Sequence, residues 1–126
     1  MSSWRVSALA IVADLVAVVV FAAIGRMSHG EPDDLLGLLG TAAPFLLGVV
    51  VMWSMPVVRA NPVGVRAALA VWAGTAVIGL LVRAGFTWSL PPSFAVVTAV
   101  SLAVLMLGWR ALSSAVSMRA RQRALH

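Results

Sequence analysis

Residues 6–25, VSALAIVADLVAVVVFAAIG, lie between Arg5 and Arg26 and hold one ionisable group, Asp14, in twenty positions. A helix rises about 1.5 Å per residue, so this stretch covers about 30 Å, the thickness of a bilayer's hydrocarbon layer. Its apolar side chains run all round the helix instead of along one stripe, a pattern suited to lipid rather than to a soluble core. Three further stretches of the same kind follow, giving predicted spans at about 6–25, 35–56, 67–88 and 93–112, with a basic tail at 113–126. The third must continue past Arg83, because the sixteen residues between Arg66 and Arg83 are short for a crossing, and Pro91-Pro92 ends it. A composition of 62% hydrophobic and 10% charged residues excludes an ordinary soluble chain. The fold class expected is all-α: a single-domain, integral membrane four-helix bundle.

Orientation follows from the arginines beside the spans. Arg5, Arg59, Arg66, Arg110, Arg119, Arg121 and Arg123 flank one end of the bundle, and Arg26 and Arg83 the other. Positive flanks stay in the cytoplasm, so both termini are expected inside. Arg110 is close enough to the boundary for its side chain to snorkel into the headgroups. Trp4, Trp53 and Trp109 map to the inner interface and Trp88 to the outer, while Trp72 lies deeper and is expected to pack between helices. The net charge of +5 is absorbed by topology, and no nucleic-acid partner is implied. There is no cysteine, which excludes disulfides and thiolate metal sites. A signal peptide ending at Ala23-Ile24-Gly25 competes for the first span, but its length and internal aspartate favour a retained helix.

Short connections imply antiparallel neighbours. Asp33 or Asp34 is a natural N-cap for the second helix, and Asn61-Pro62 with Gly64 marks the inner turn. Small and polar residues line one side of each span, as close helix contact in lipid requires. They are Ser7, Ala10, Asp14 and Ala17 in the first, and Gly37, Thr41, Pro44 and Gly48 in the second. The third offers Trp72, Thr75, Gly79 and Arg83, and the fourth Thr98, Ser101, Leu105 and Gly108. Pro44 is expected to kink its helix. The two helix pairs also repeat a pattern: Arg26, Pro32 and Trp53 correspond in order to Arg83, Pro91 and Trp109-Arg110.

Asp14 is the most informative residue, about 13 Å along the axis from Arg5 and so near the bilayer centre. Insertion scales charge roughly 2.5–3.5 kcal/mol for an aspartate there, so it must face other helices. Three roles are open to it: a structural hydrogen bond to Thr75, Thr98, Ser101 or the carbonyl freed by Pro44; a proton or cation site; or an ion pair with Arg110. Arg26 and Arg83 could form an external anion-binding pair, with lipid headgroups the plainest ligand, or simply snorkel. His29, Glu31, Asp33 and Asp34 match no established metal-ligand spacing, so neither a metal nor a cofactor is expected. With no Cys, Lys or Tyr and two histidines, the inventory for catalysis is poor, and an enzyme is not expected.

The same residues resemble a family, the small bacterial membrane proteins grouped as domain of unknown function 3054. The resemblance is carried by Asp14, Ile24-Gly25-Arg26, Ser28-His29-Gly30-Glu31, Thr41, Pro44-Phe45 and Gly48. It continues through Pro62, Gly64, Val71-Trp72, Thr75, Gly79 and Arg83 to Leu107-Gly108-Trp109-Arg110. Ala43 departs from it, where the pattern looks more like a tryptophan. The resemblance implies four helices in a bacterial plasma membrane and names no activity or substrate. Small multidrug transporters share four helices and one carboxylate in the first. Their antiparallel pairing, however, goes with little charge bias, whereas seven arginines face two here. Two functions are therefore expected in turn: a packing, assembly or lipid-interacting protein whose partners are the bilayer, a second copy or another membrane protein; and a small proton- or cation-coupled transporter using Asp14.

Overall fold

The computed structural model describes the backbone of residues 3–28 and 35–125. It forms five helices: α1 (Ser3–Ser28), α2 (Leu35–Trp53), α3 (Pro56–Ala60), α4 (Val65–Thr87) and α5 (Pro92–Leu125). Four of them, all but α3, are long and apolar enough to cross a membrane. α2 packs most extensively on α4, α1 contacts α2 and α5, and α4 contacts α5, which closes an up-down-up-down ring.

Local chemistry sets the ends. α2 stops at Trp53, three residues before the expected boundary at 56, because Pro56 has no N–H with which to continue it. The chain tightens through Met55 N–H on Met52 O, and Pro56 then opens α3 at its first position, where a missing N–H costs nothing. This extra turn of helix buries Val58 against the bundle. α4 ends in a left-handed cap at Trp88, φ 55°, whose N–H bonds Ala84 O at 2.8 Å. Trp88 itself is almost fully exposed, as an outer interfacial anchor would be. Within the basic segment 113–126 the chain is helical as far as Leu125, as a continuation of α5, with residues 114–124 exposed.

Close approach of α2 and α4 depends on two glycines. A Cβ on Gly48 would sit 2.9 Å from the Thr75 Cα, and one on Gly79 would collide with the Phe45 ring. Phe45 in turn meets Phe21 of α1 edge-on, with centroids 5.2 Å apart. The contact faces of α1, α2 and α4 lie where the small residues place them: Ala10, Asp14, Ala17, Pro44, Gly48, Thr75 and Gly79 are buried, with Gly37 and Thr41 half-buried. Trp72 packs between helices as expected, its indole donating to Ala99 O of α5 at 2.8 Å. The face of α5 differs from expectation. Thr98, Leu102, Met106 and Arg110 are the buried series, while Gly108 is exposed with open space around it. Volume decides this: Leu102 and Met106 fill the centre of the ring, which small residues would leave hollow.

Candidate functional site

One end of the bundle is organised around Asp14. Its carboxylate is fully buried and accepts four hydrogen bonds, matching the acceptor capacity of an ionised carboxyl. Arg110 supplies two of them as a fork, Nη1 to Oδ1 and Nη2 to Oδ2, both at 2.8 Å. Indole N–H groups supply the rest at 2.9 Å each, from Trp53 to Oδ2 and from Trp109 to Oδ1. The guanidinium is itself only 3% exposed, donates from Nε to Pro62 O at 2.9 Å, and stands 4.3 Å from the centre of the Trp109 ring. Burying two charges is tolerable only when the remaining polar valences are also met, and here they largely are. The first helix, the end of the second, the turn that carries Pro62 and the last helix thus meet at a single ion pair.

Two features of the backbone bring these groups together. Side chains on a helix lean toward its N-terminus, and α5 descends from the end opposite the chain termini, so Arg110 leans back toward the membrane centre. Its Nη1 contact with Met106 O, one turn earlier, records that direction at 3.3 Å. Trp53 is the last residue of α2 and Trp109 precedes Arg110, which puts both indoles at the level the carboxylate occupies.

Of the roles open to Asp14, the structure shows the ion pair. Thr75 and Thr98 are not its partners: both hydroxyls are buried with no hydrogen-bond partner among the described residues. Ser101 does not reach the carboxylate either, all of whose bonds come from Arg110 and the two indoles. The reason is axial distance. Thr98 and Ser101 lie about 18 Å and about 13 Å from Arg110 along α5, and the Thr75 backbone lies against Gly48. Arg110 is likewise not a snorkelling residue, because its side chain turns inward to a carboxylate instead of outward to the headgroups. Trp53 and Trp109, expected only as interfacial anchors, are the members of the site that the sequence did not disclose. A carboxylate in lipid needs N–H donors, and on this half of the chain indole is one of the few side chains able to supply them.

At the opposite end, Arg26 and Arg83 line one cleft of about 480 Å³ with Thr41, Thr87, Ser93 and Phe94. Arg26 Nη1 donates to Thr41 Oγ1 at 3.1 Å, and the Arg83 guanidinium lies 4.5 Å from the centre of the Phe94 ring. The two corresponding members of the repeated pattern therefore converge at each end: arginines in the cleft, tryptophans on Asp14. His29, Glu31, Asp33 and Asp34 lie outside the described residues, among which no cluster of metal-binding side chains occurs.

Comparison with curated proteins and with solved structures gives no match. A family model does match, over residues 11–113, described as a protein of unknown function, DUF3054. The matched segment encloses Asp14 and all its partners, together with both arginines of the cleft. The chain belongs to the DUF3054 family, and it carries four helices fit to make it a multi-pass membrane protein.

Proposed function

We propose that the protein is a non-enzymatic component of the bacterial plasma membrane, with both termini in the cytoplasm, that acts by packing with lipid, a second copy or another membrane protein. The observation that carries this reading is the occupancy of Asp14. A coupled carrier must pass its proton or cation between water and the binding carboxylate, and this carboxylate has no exposed surface and four donors filling its acceptor sites. Removing one partner of a buried ion pair costs about 3–5 kcal/mol, a barrier that would stand in every transport cycle. The orientation is supported by six exposed arginines at the end bearing the termini, Arg5, Arg59, Arg66, Arg119, Arg121 and Arg123, once Arg110 is assigned to the interior. Neither a cofactor nor a nucleic acid enters this reading.

The test is flux. Liposomes enclosing a pH-sensitive dye are made with the purified protein or with its Asp14→Asn variant, and a pH gradient is imposed with and without a sodium gradient. The expected result is the same background leak in both. A proton or cation flux present in the unaltered protein and lost in Asp14→Asn would overturn the proposal in favour of the carrier.

A further inference from the structure

We propose that the cleft containing Arg26 and Arg83 binds a phosphate group, and that its apolar wall suits it to the headgroup of an anionic lipid. The inference concerns the end of the bundle away from Asp14 and holds whether or not that site is static.

Three independent features point to an anion with several oxygens. The first is the convergence of two guanidinium groups from α1 and α4 on one concave surface, with no carboxylate lining it among the described residues. Arg83 is stacked on Phe94 through its flat face, a contact that fixes the plane of the group. Stacking on a ring face uses none of the guanidinium N–H donors, and no hydrogen bond from them occurs among the described residues. The second is a pair of hydroxyls, Thr41 and Ser93, able to donate beside the arginines, the Thr87 hydroxyl being already given to the Arg83 and Ser89 carbonyls. The third is the start of α5, since Pro92 has no N–H and the next backbone donors, on Ser93 and Phe94, precede the first intrahelical acceptor. The positive end of a 34-residue helix thus opens on the same cleft.

Donor number separates the candidate anions. The Arg83 fork, the Thr41 and Ser93 hydroxyls and the first backbone N–H groups of α5, set around a cavity rather than in one plane, exceed what the two coplanar oxygens of a carboxylate can accept. A phosphate presents more oxygens in a tetrahedral array. The deeper wall is apolar, formed by Phe21, Ala22 and Val97, and would be left wet by a free ion. An acyl chain lying against that wall would cover it, with the phosphate at the arginine rim, as basic pockets between membrane helices hold acidic headgroups.

The experiment uses the full chain in detergent micelles and counts bound lipid by native mass spectrometry as phosphatidylglycerol or phosphatidylcholine is titrated in. One phosphatidylglycerol per chain is expected, held at least about tenfold more tightly than phosphatidylcholine. Arg83→Gln should weaken it about tenfold, the loss expected for one charge-assisted contact, and Arg26→Gln with Arg83→Gln should abolish it. Arg83→Lys, which keeps the charge and loses the fork, should fall between. The triple variant Arg119→Gln, Arg121→Gln and Arg123→Gln controls for attraction at the far end of α5 and should retain the bound lipid. An unchanged unfolding midpoint shows that each variant is folded. Displacement by millimolar inorganic phosphate would support the phosphate site and identify a soluble ion as its source, while no displacement with retained phosphatidylglycerol would identify the lipid. Equal retention of the two lipids, or undiminished phosphatidylglycerol binding in folded Arg83→Gln, would overturn the proposal.

Discussion

Replacing Asp14 by leucine and Arg110 by methionine, singly and together, separates an ion pair that binds the helices from two charges that merely lie near each other. Asp14→Leu leaves the guanidinium buried with only the Pro62 and Met106 carbonyls and deprives both indoles of their acceptor. Arg110→Met leaves a buried carboxylate with the two indoles alone. Breaking a buried pair from one side costs about 3–5 kcal/mol, so independent effects would sum to about 6–10 kcal/mol. In the double variant neither charge remains. What is left is two indole N–H groups without an acceptor and the Pro62 carbonyl without its donor, at about 1–3 kcal/mol each, for a total of about 3–9 kcal/mol. The double variant should therefore be destabilised by about 1–3 kcal/mol less than the sum of the singles. Unfolding by dodecyl sulfate in mixed micelles, followed through the near-ultraviolet circular dichroism of the tryptophans, measures all four proteins on one scale. Additivity within about 0.5 kcal/mol is the mark of uncoupled sites; that result would refute the ion pair as the element joining α1 to α5.

Trp53→Phe and Trp109→Phe each delete one donor to a charged acceptor and should each cost about 1.5–3 kcal/mol in the same assay; two neutral results would mean the indoles fill space only. Gly48→Ala should destabilise by about 1–3 kcal/mol, because the new methyl meets Thr75 backbone that cannot turn aside, whereas Gly25→Ala, with open space around its position, should be neutral or slightly stabilising. Equal midpoints for that pair would remove the close approach of α2 and α4. Thr98→Val deletes a buried hydroxyl that has no partner among the described residues and should leave stability unchanged or raise it. A loss of more than about 1 kcal/mol would show that the hydroxyl is bonded after all.

The length and all-round apolarity of the four segments carried the fold, since both are properties of each segment alone and depend on no distant contact. Where expectation and structure differ, the deciding interaction is tertiary. The C-terminal end of α2 turned on a proline, Pro56, that ordinary chain rules do identify, yet the hydropathy of Val57 and Val58 conceals the break. The contact face of α5 was legible for Thr98 and not beyond it, because the small-residue rule that serves α2 and α4 gives way to the bulk of Leu102 and Met106. Asp14 was legible as a buried group from its cost in lipid, and Arg110 as one of its candidate partners. The indoles were hidden by their own chemistry: a tryptophan near an interface satisfies a general preference for that depth, so nothing in the sequence marks Trp53 and Trp109 as donors to a carboxylate. Arg26 and Arg83 were legible as a pair, but their shared cleft depends on how far α4 and α5 separate around Phe94.

The ion pair joins residues 96 positions apart in the chain. At synthesis rates of about 5–20 residues per second, Asp14 is made roughly 5–20 s before Arg110 exists. During that interval the nascent protein holds an aspartate at membrane depth without its cation, although Trp53, 39 positions on, emerges early enough to give it a first donor. Assembly is thus completed from the last helix backward, and a ribosome that stalls before α5 leaves in the bilayer a fragment bearing an uncompensated acid. Such a fragment differs from the finished protein by one carboxylate without its cation, so the position of this one arginine puts the neutralisation of Asp14 at the end of synthesis.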